Sequence, residues 1–341
     1  MMKILIVGSD KVYSIENFYF KYFNEFGIDV SRYNAQAIFY DFYFGGNILT
    51  KVLFKLGVSN ILPKINNQFK QIVNALNPEI IWVFKGMEIS PKSLKWAKSK
   101  GIKLVNYNPD NPFVFSGSGS GNKNVTQSID IYDFHFTYNL EIQKKLDQYH
   151  SAKTGLLPFA FDISEQLYEQ CTLEKEVVKV CFLGNPDKTR ANFIETLAAQ
   201  GIEIDVYGHD WNKFVQHQNI GIHQPVYGDD QYRILRQYRV QLNLMRKHNL
   251  NSHNMRSFEI PGIGGIQLAP HTTELELFFE PNKEIFLYQS VEDCVNKINY
   301  LVQLSAQEAN EIRLAARIAC IEKKYSYAER AKQVLEVLEN L

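Results

Sequence analysis

Short apolar runs of strand length alternate with stretches of helical periodicity along most of this chain, and the alternation starts twice. The first start is 3–7, K-I-L-I-V, followed by the turn Gly8-Ser9-Asp10. Strand patterns at 28–33, 79–84, 102–107 and 133–137 follow. Helical patterns separate them, one at 66–76 stopped by Asn77-Pro78 and one capped by Ser90 with Pro91 in its first position. The second start is 177–183, V-V-K-V-C-F-L, which exits through G-N-P-D-K-T-R into a helix closed by Gly201; strand patterns at 202–207, 239–245 and 265–269 come after it. Such alternation builds parallel sheets covered by helices, and its restart implies two doubly wound α/β domains. A length of 341 residues suits two domains of ordinary size.

Ligands of open parallel sheets bind beyond the carboxyl ends of the strands, so the polar loops at those ends hold the candidate site. The richest is 251–265, N-S-H-N-M-R-S-F-E-I-P-G-I-G-G, which reads as a short helix with Ser252 as N-cap and Gly262, Gly264 and Gly265 at its far end. Asn251, Arg256 and Glu259 are candidates for one ligand. The spacing of three makes Arg256 and Glu259 neighbours; an arginine grips phosphate and a carboxylate takes paired hydroxyls, which together describe a sugar nucleotide. The plain alternative is a solvated ion pair. Lys188 and Arg190 lie at a helix start after Gly184, where dipole and charge both favour an anion. The loop Tyr207-Gly208-His209-Asp210-Trp211 offers aromatic surface to a base, and Pro270-His271-Thr272-Thr273 leaves the same sheet edge.

In the first half, Asn108-Pro109-Asp110-Asn111-Pro112-Phe113 follows a strand end, so Asp110 is placed for chemistry unless it only caps the turn. The Gly/Ser stretch 116–124 reads as a lid. The aromatic, mildly basic stretch 39–57 suits a hydrophobic acceptor or a membrane surface, with core covered by a helix as the alternative. Gly8 alone lacks the G-x-G-x-x-G dinucleotide fingerprint.

Composition removes other classes. Equal numbers of basic and acidic residues, 37 each, argue against a nucleic-acid binder with a broad basic face. Cys171, Cys181, Cys294 and Cys320 form no C-x-x-C pair, so neither zinc nor a redox motif is signalled, and they read as reduced thiols of a cytosolic protein. The run 1–7 is too brief for a signal peptide, and no apolar run has membrane-spanning length.

The residues V-C-F-L-G-N-P-D-K-T-R at 180–190, V-Y-G-H-D-W at 206–211, L-N-L at 242–244, N-M-R-S-F-E-I-P-G-I-G-G at 254–265 and F-E-P-N-K-E-I-F-L-Y at 279–288 together resemble the spore-maturation (CgeB-like) branch of the GT-B glycosyltransferases. The resemblance covers the second half in order; in the first half only Asn111-Pro112-Phe113 after Asp110 joins it. It implies a GT-B fold, two Rossmann-like domains facing across a cleft: an acceptor domain at 1–158, a nucleotide-sugar domain at 159–324, and a terminal helix at 325–341 that crosses back to the first domain. On this resemblance Glu259 binds the ribose hydroxyls, while Asn251 stands where larger families carry a second glutamate. Arg256, with Lys188 or Arg190, neutralises the diphosphate; His271 and Thr272 contact the donor sugar or phosphate, and Gly184, Tyr207 and Asn254 fall in donor-side motifs.

The implied reaction moves a sugar from a nucleotide-sugar donor to a hydroxyl of a glycan, lipid-linked or protein acceptor, with no metal or other cofactor and no nucleic-acid partner. An inverting enzyme needs a base for the acceptor hydroxyl, for which Asp110 comes first and His135 and Asp10 behind it; a retaining one does not. The implied location is the cytoplasm, at the inner face of the membrane if 39–57 touches it, and the oligomeric state is not legible. A GT-B-fold sugar-nucleotide epimerase and a non-catalytic sugar-nucleotide or glycan-binding module are the alternatives.

Overall fold

The computed structural model describes residues 2–11, 14–48, 51–52, 59–115, 120–148, 153–246 and 251–341. It divides into two compact units, Met1–Pro158 with Tyr327–Leu341, and Phe159–Ser326.

The first unit runs β1 (Lys3–Val7), α1 (Ile15–Glu25), β2 (Asp29–Tyr33), α2 (Ala35–Gly45), α3 (Ile61–Leu76), β3 (Ile80–Phe84), α4 (Pro91–Lys98), β4 (Lys103–Asn108), α5 (Lys123–Ser128), β5 (Phe134–Thr137), α6 (Leu140–Leu146) and β6 (Lys153–Leu156). The strands form one sheet in the order β2-β1-β3-β4-β5-β6, with every pairing parallel. β3, I-I-W-V-F, is buried at every position, as a strand covered by helices on both faces must be. Chain punctuation behaves as its chemistry requires. α3 stops where Asn77 turns left-handed at φ 47° ahead of Pro78, and the Ser90 hydroxyl accepts from the Ser93 amide at 3.2 Å to start α4.

The second unit runs α7 (Glu165–Thr172), β7 (Val177–Leu183), α8 (Lys188–Ala199), β8 (Ile204–Tyr207), β9 (Ile220–His223), α9 (Asp229–Gln237), β10 (Tyr238–Leu242), α10 (Arg256–Gly262), β11 (Gln267–Pro270), α11 (Thr273–Phe278), β12 (Phe286–Tyr288), α12 (Val291–Gln303) and α13 (Ala306–Glu322). Its sheet, also parallel, has the order β12-β11-β10-β7-β8-β9. α13 opens with the capping box that Ser305 and Glu308 announce. The last helix, α14 (Tyr327–Leu338), belongs to the first unit, where Tyr327 stacks on Phe18 at 4.4 Å and meets Tyr19 edge-on at 5.7 Å.

Three expectations change. The aromatic stretch from residue 39 is helix, α2, started by Asn34 accepting from Ala37, with Ile38, Phe39 and Phe42 packed on the core. Ile48 and Val52 beyond it are exposed; 49–50 and 53–57 lie outside the described residues, as do 116–119 of the Gly/Ser stretch. The edge strands β6 and β9 carry no continuous apolar run that would announce them, because an edge strand is covered less than a central one; β12, three residues long and buried throughout, is also absent from the sequence reading. Ser252 does not cap a helix: its hydroxyl donates to Glu274 at 2.6 Å, and α10 begins three residues later than that cap implies.

Candidate functional site

In the second sheet the chain moves outward from β7 through β8 to β9, then returns to the other side of β7 at β10, so the topological switch lies between β7 and β10. Arg190 spans that point. Its guanidinium donates to the Asn185 carbonyl at 3.1 Å, after β7, and to the Leu244 carbonyl at 2.7 Å, after β10. It lies over the Phe182 ring, with Asp187 at 3.7 Å. Burial first, and Arg246 second, lower its pKa to about 10, so it stays charged at neutral pH. Arg190 therefore braces the two loops, whereas Lys188, also on the first turn of α8, is exposed.

Gly184 closes β7 with its amide on the Tyr207 carbonyl at 2.9 Å and its own carbonyl under the Trp211 indole N–H at 2.9 Å. A Cβ on Gly208 would stand 2.4 Å from the Gly184 oxygen, which is why the aromatic loop needs glycine there. Tyr207 packs within its own sheet edge. Its ring stacks on His223 at 4.5 Å and its hydroxyl meets that of Tyr238 at 3.0 Å, which donates to Asp205 at 2.7 Å.

The carboxyl edge of β10 leads into an amide cluster. Asn254 and Asn243 exchange bonds at 2.9 and 3.3 Å, and Asn243 also donates to Ser257 and Gln267, each at 3.2 Å. The Asn254 side chain accepts from the Ser257 amide at 3.1 Å, so it is this asparagine that holds the start of α10. Two residues on, Arg256 pairs with Glu259 through Nη1 and reaches Gln231 of α9 at 3.1 Å. Only 4% of the Glu259 side chain is exposed against 23% of Arg256, so this is a half-buried pair and not a solvated one. Asn251, exposed and left-handed at φ 64°, precedes it. His253 is fully buried between Ser252 and the helix, with Nδ1 on Glu274 at 2.8 Å.

Two further sequence candidates follow β11. His271 follows β11 and pairs with Glu276 at 2.8 Å on the surface, and the Thr272 hydroxyl accepts from Leu275 at 3.1 Å to cap α11. Among the described residues no group of three or more His, Cys, Asp or Glu is placed to hold a metal ion, and no helix is long and apolar enough to cross a membrane.

The first sheet has its own switch, between β1 and β3. There Lys85, left-handed at φ 62°, reaches Asp110 at 2.6 Å from the end of β4. Two buried carboxyls that the sequence does not announce join this edge. Glu16, second residue of α1, accepts from the Ser9 amide at 3.0 Å, and a Cβ on Gly8 would fall 2.5 Å from its Oε1; Glu88 follows β3. Burial pushes both up to about 7, each feels Lys85, and Glu16 also feels Glu88. Of the two lesser base candidates, Asp10 lies at this edge, beside Glu16, and His135 does not. His135 is a core residue bonded to the Ile129 carbonyl at 2.8 Å and held by burial at about 4, and Asp10 is exposed.

Residues 189–336 match the family model of glycosyl transferase-like proteins. No curated protein sequence matches the chain. Among solved structures, a sucrose-phosphate synthase from Thermosynechococcus elongatus is similar, with a TM-score of 0.68 at 12% identity over 100% of this chain and 99% of that one. The Anabaena protein HepE in complex with UDP-glucose gives 0.66 at 12% over 100% of each chain. A putative UDP-N-acetylglucosamine 2-epimerase from Listeria monocytogenes gives 0.59 at 11% over 99% and 96%. The two parallel six-stranded sheets are thus the GT-B architecture.

Proposed function

We propose that the chain is a glycosyltransferase whose second unit holds a nucleotide-sugar donor and whose first unit presents an acceptor hydroxyl. The observation that carries this reading is the half-buried Arg256–Glu259 pair at the carboxyl edge of the second sheet, beside the switch point. The glycosyl transferase-like match over 189–336 covers that pair, and HepE, of the same fold, was crystallised with UDP-glucose. In this reading Glu259 accepts from the ribose hydroxyls, and Arg256 turns from Glu259 and Gln231 toward the diphosphate, helped by the exposed Lys188. Arg190 keeps the two loops in register, Asn254 holds the helix that carries the pair, and Gly184, Tyr207, His271 and Thr272 shape the rim.

Cleavage of the anomeric bond places negative charge on the leaving diphosphate oxygen, which Arg256, once turned toward it, stabilises more than the ground state. The acceptor hydroxyl gives its proton to a carboxylate of the first unit, Asp110, as its oxygen bonds to the anomeric carbon. The family-level resemblance at 254–265 and 279–288 favours the spore-maturation branch, action in the cytoplasm and no metal. α2 with the exposed Ile48 and Val52 suits a lipid-linked acceptor or contact with a membrane face. The epimerase-like fold match supports a second reading, a sugar-nucleotide epimerase. Incubation with labelled nucleotide sugars separates them. Transfer or donor hydrolysis lost in Asp110→Ala supports the transferase, an epimerised donor supports the second reading, and tight binding with no turnover under any acceptor makes the chain a binding module.

A further inference from the structure

The inner face of α13 fastens it to the second unit. Ala309, Ala316, Ala319 and Cys320 are buried there, and two arginines fix its placement. Arg317 donates to the Gly262 carbonyl at 2.6 Å and to Glu165 at 2.9 Å, and Arg313 pairs with Glu176 at 2.6 Å. The outer face carries Gln307, Glu311, Leu314, Ile318 and Ile321, all exposed, at spacings of four, three, four and three that keep them on one seam of the helix. Leu314, Ile318 and Ile321 are 52%, 42% and 53% exposed, and among the described residues no other helix of the second unit exposes more than one large apolar side chain. A single exposed apolar residue is ordinary, whereas three on one seam of a fixed helix mark a place of contact.

The charges along that seam say what covers it. Glu311 stands in the amino-terminal half, accepting from the Gln307 amide at 3.1 Å. At the carboxyl-terminal end Lys323 is held by Glu284 at 2.8 Å and by the Phe278 carbonyl at 2.9 Å, so the exposed Lys324 is that end's outward cation. Turned end for end, the seam complements itself. With a two-fold axis between residues 317 and 318, Leu314 faces Ile321 of the second copy, Ile318 faces its own counterpart, and Glu311 faces Lys324. A parallel neighbour would set Glu311 against Glu311, and an anionic lipid surface would meet the exposed Glu308, Glu311 and Glu322. We propose that α13 is a self-association surface on which a second copy of the chain docks antiparallel, helix against helix, about an axis beside Ile318. Symmetry makes every contact twice, so the seam gains two Glu311–Lys324 pairs around three apolar side chains from each copy. One helix face is at the small end of specific interfaces, so this dimer exchanges with monomer. The inference is independent of the reaction assigned to the chain.

Sedimentation equilibrium of the full chain over a wide concentration range tests this, and a monomer–dimer equilibrium is the expected result. Ile318→Glu should remove the dimer. Glu311→Lys and Lys324→Glu should each weaken it about tenfold, by setting like charges against each other twice. The two reversals combined in one chain should restore it, a rescue that no effect on the folding of the single chain would produce. All three positions are exposed, and melting curves confirm that the variants fold. In a chain whose four native cysteines are buried, Ile318→Cys should also be joined to a second copy by a short bismaleimide. A monomer at every concentration, a dimer indifferent to Ile318→Glu, or charge reversals whose combination fails to restore the dimer overturns the proposal.

Discussion

Glu259 is a carboxylate that the fold hides, with Arg256 as its close cation. A buried carboxylate whose paired arginine is partly exposed suits a ligand that takes up both groups, and the consequences are measurable. Glu259→Ala should weaken nucleotide binding by about 1–3 kcal/mol, the scale of a hydrogen bond to a charged group. Arg256→Ala should weaken nucleoside diphosphates more than the bare nucleoside in the same titration, and equal losses would remove it from the phosphate. Gly208→Ala forces a Cβ to within 2.4 Å of the Gly184 oxygen, so denaturant melts should show about 1–3 kcal/mol lost. What was legible at this scale is residue type at strand ends: the Arg256–Glu259 pair follows from a spacing of three. Glu16 and Glu88 were not legible, because burial of a carboxyl depends on what a distant segment covers. Likewise nothing near Ser252 and His253 signals that their partner is Glu274, some twenty residues onward.

At the scale of elements, the central strands are readable because burial on both faces demands unbroken apolar runs, and the edge strands β6 and β9 are not because that demand lapses; β12 is buried but only three residues long. Placing Ser252 as a helix cap failed for a related reason. A serine ahead of an apolar run satisfies the local rule, yet a carboxylate from α11 competes for its hydroxyl. Strand starts carry their own electrostatics. Glu176, just before β7, accepts from Arg239 at 2.6 and 2.7 Å and pairs with Arg313 at 2.6 Å. Burial raises its pKa, but the two arginines outweigh it and bring it down to about 2. A depressed folded value contributes stability above the unfolded 4.5 that is lost as pH falls toward 2. Glu176→Gln should therefore cost about 3 kcal/mol at pH 7, with the deficit vanishing in melts at the acid end, since it leaves two buried arginines short of a counter-charge.

For the whole molecule the carboxyls of the first unit act in the opposite sense. Glu16 and Glu88 move up from 4.5 to about 7, so the folded state holds their protons more tightly than the unfolded chain. Their contribution is full below pH 4.5 and declines as pH rises through 7. Replacing Glu16 by Gln should raise stability at pH 8 by about 1–3 kcal/mol and flatten the fall in stability between pH 4.5 and about 7. The division into two units, each with a switch point at its sheet's carboxyl edge, gives the molecule two candidate ligand edges. The second unit offers Arg256 beside the buried Glu259, the first the Lys85–Asp110 pair with the buried Glu16 and Glu88. The central claim is that the second unit holds a nucleotide sugar through Glu259. Calorimetric titration of the intact chain with UDP, GDP, dTDP, ADP and CMP tests it most directly. The account predicts selective binding of one of them, loosened in Glu259→Ala; binding of none, or an unchanged dissociation constant in the variant, would contradict it.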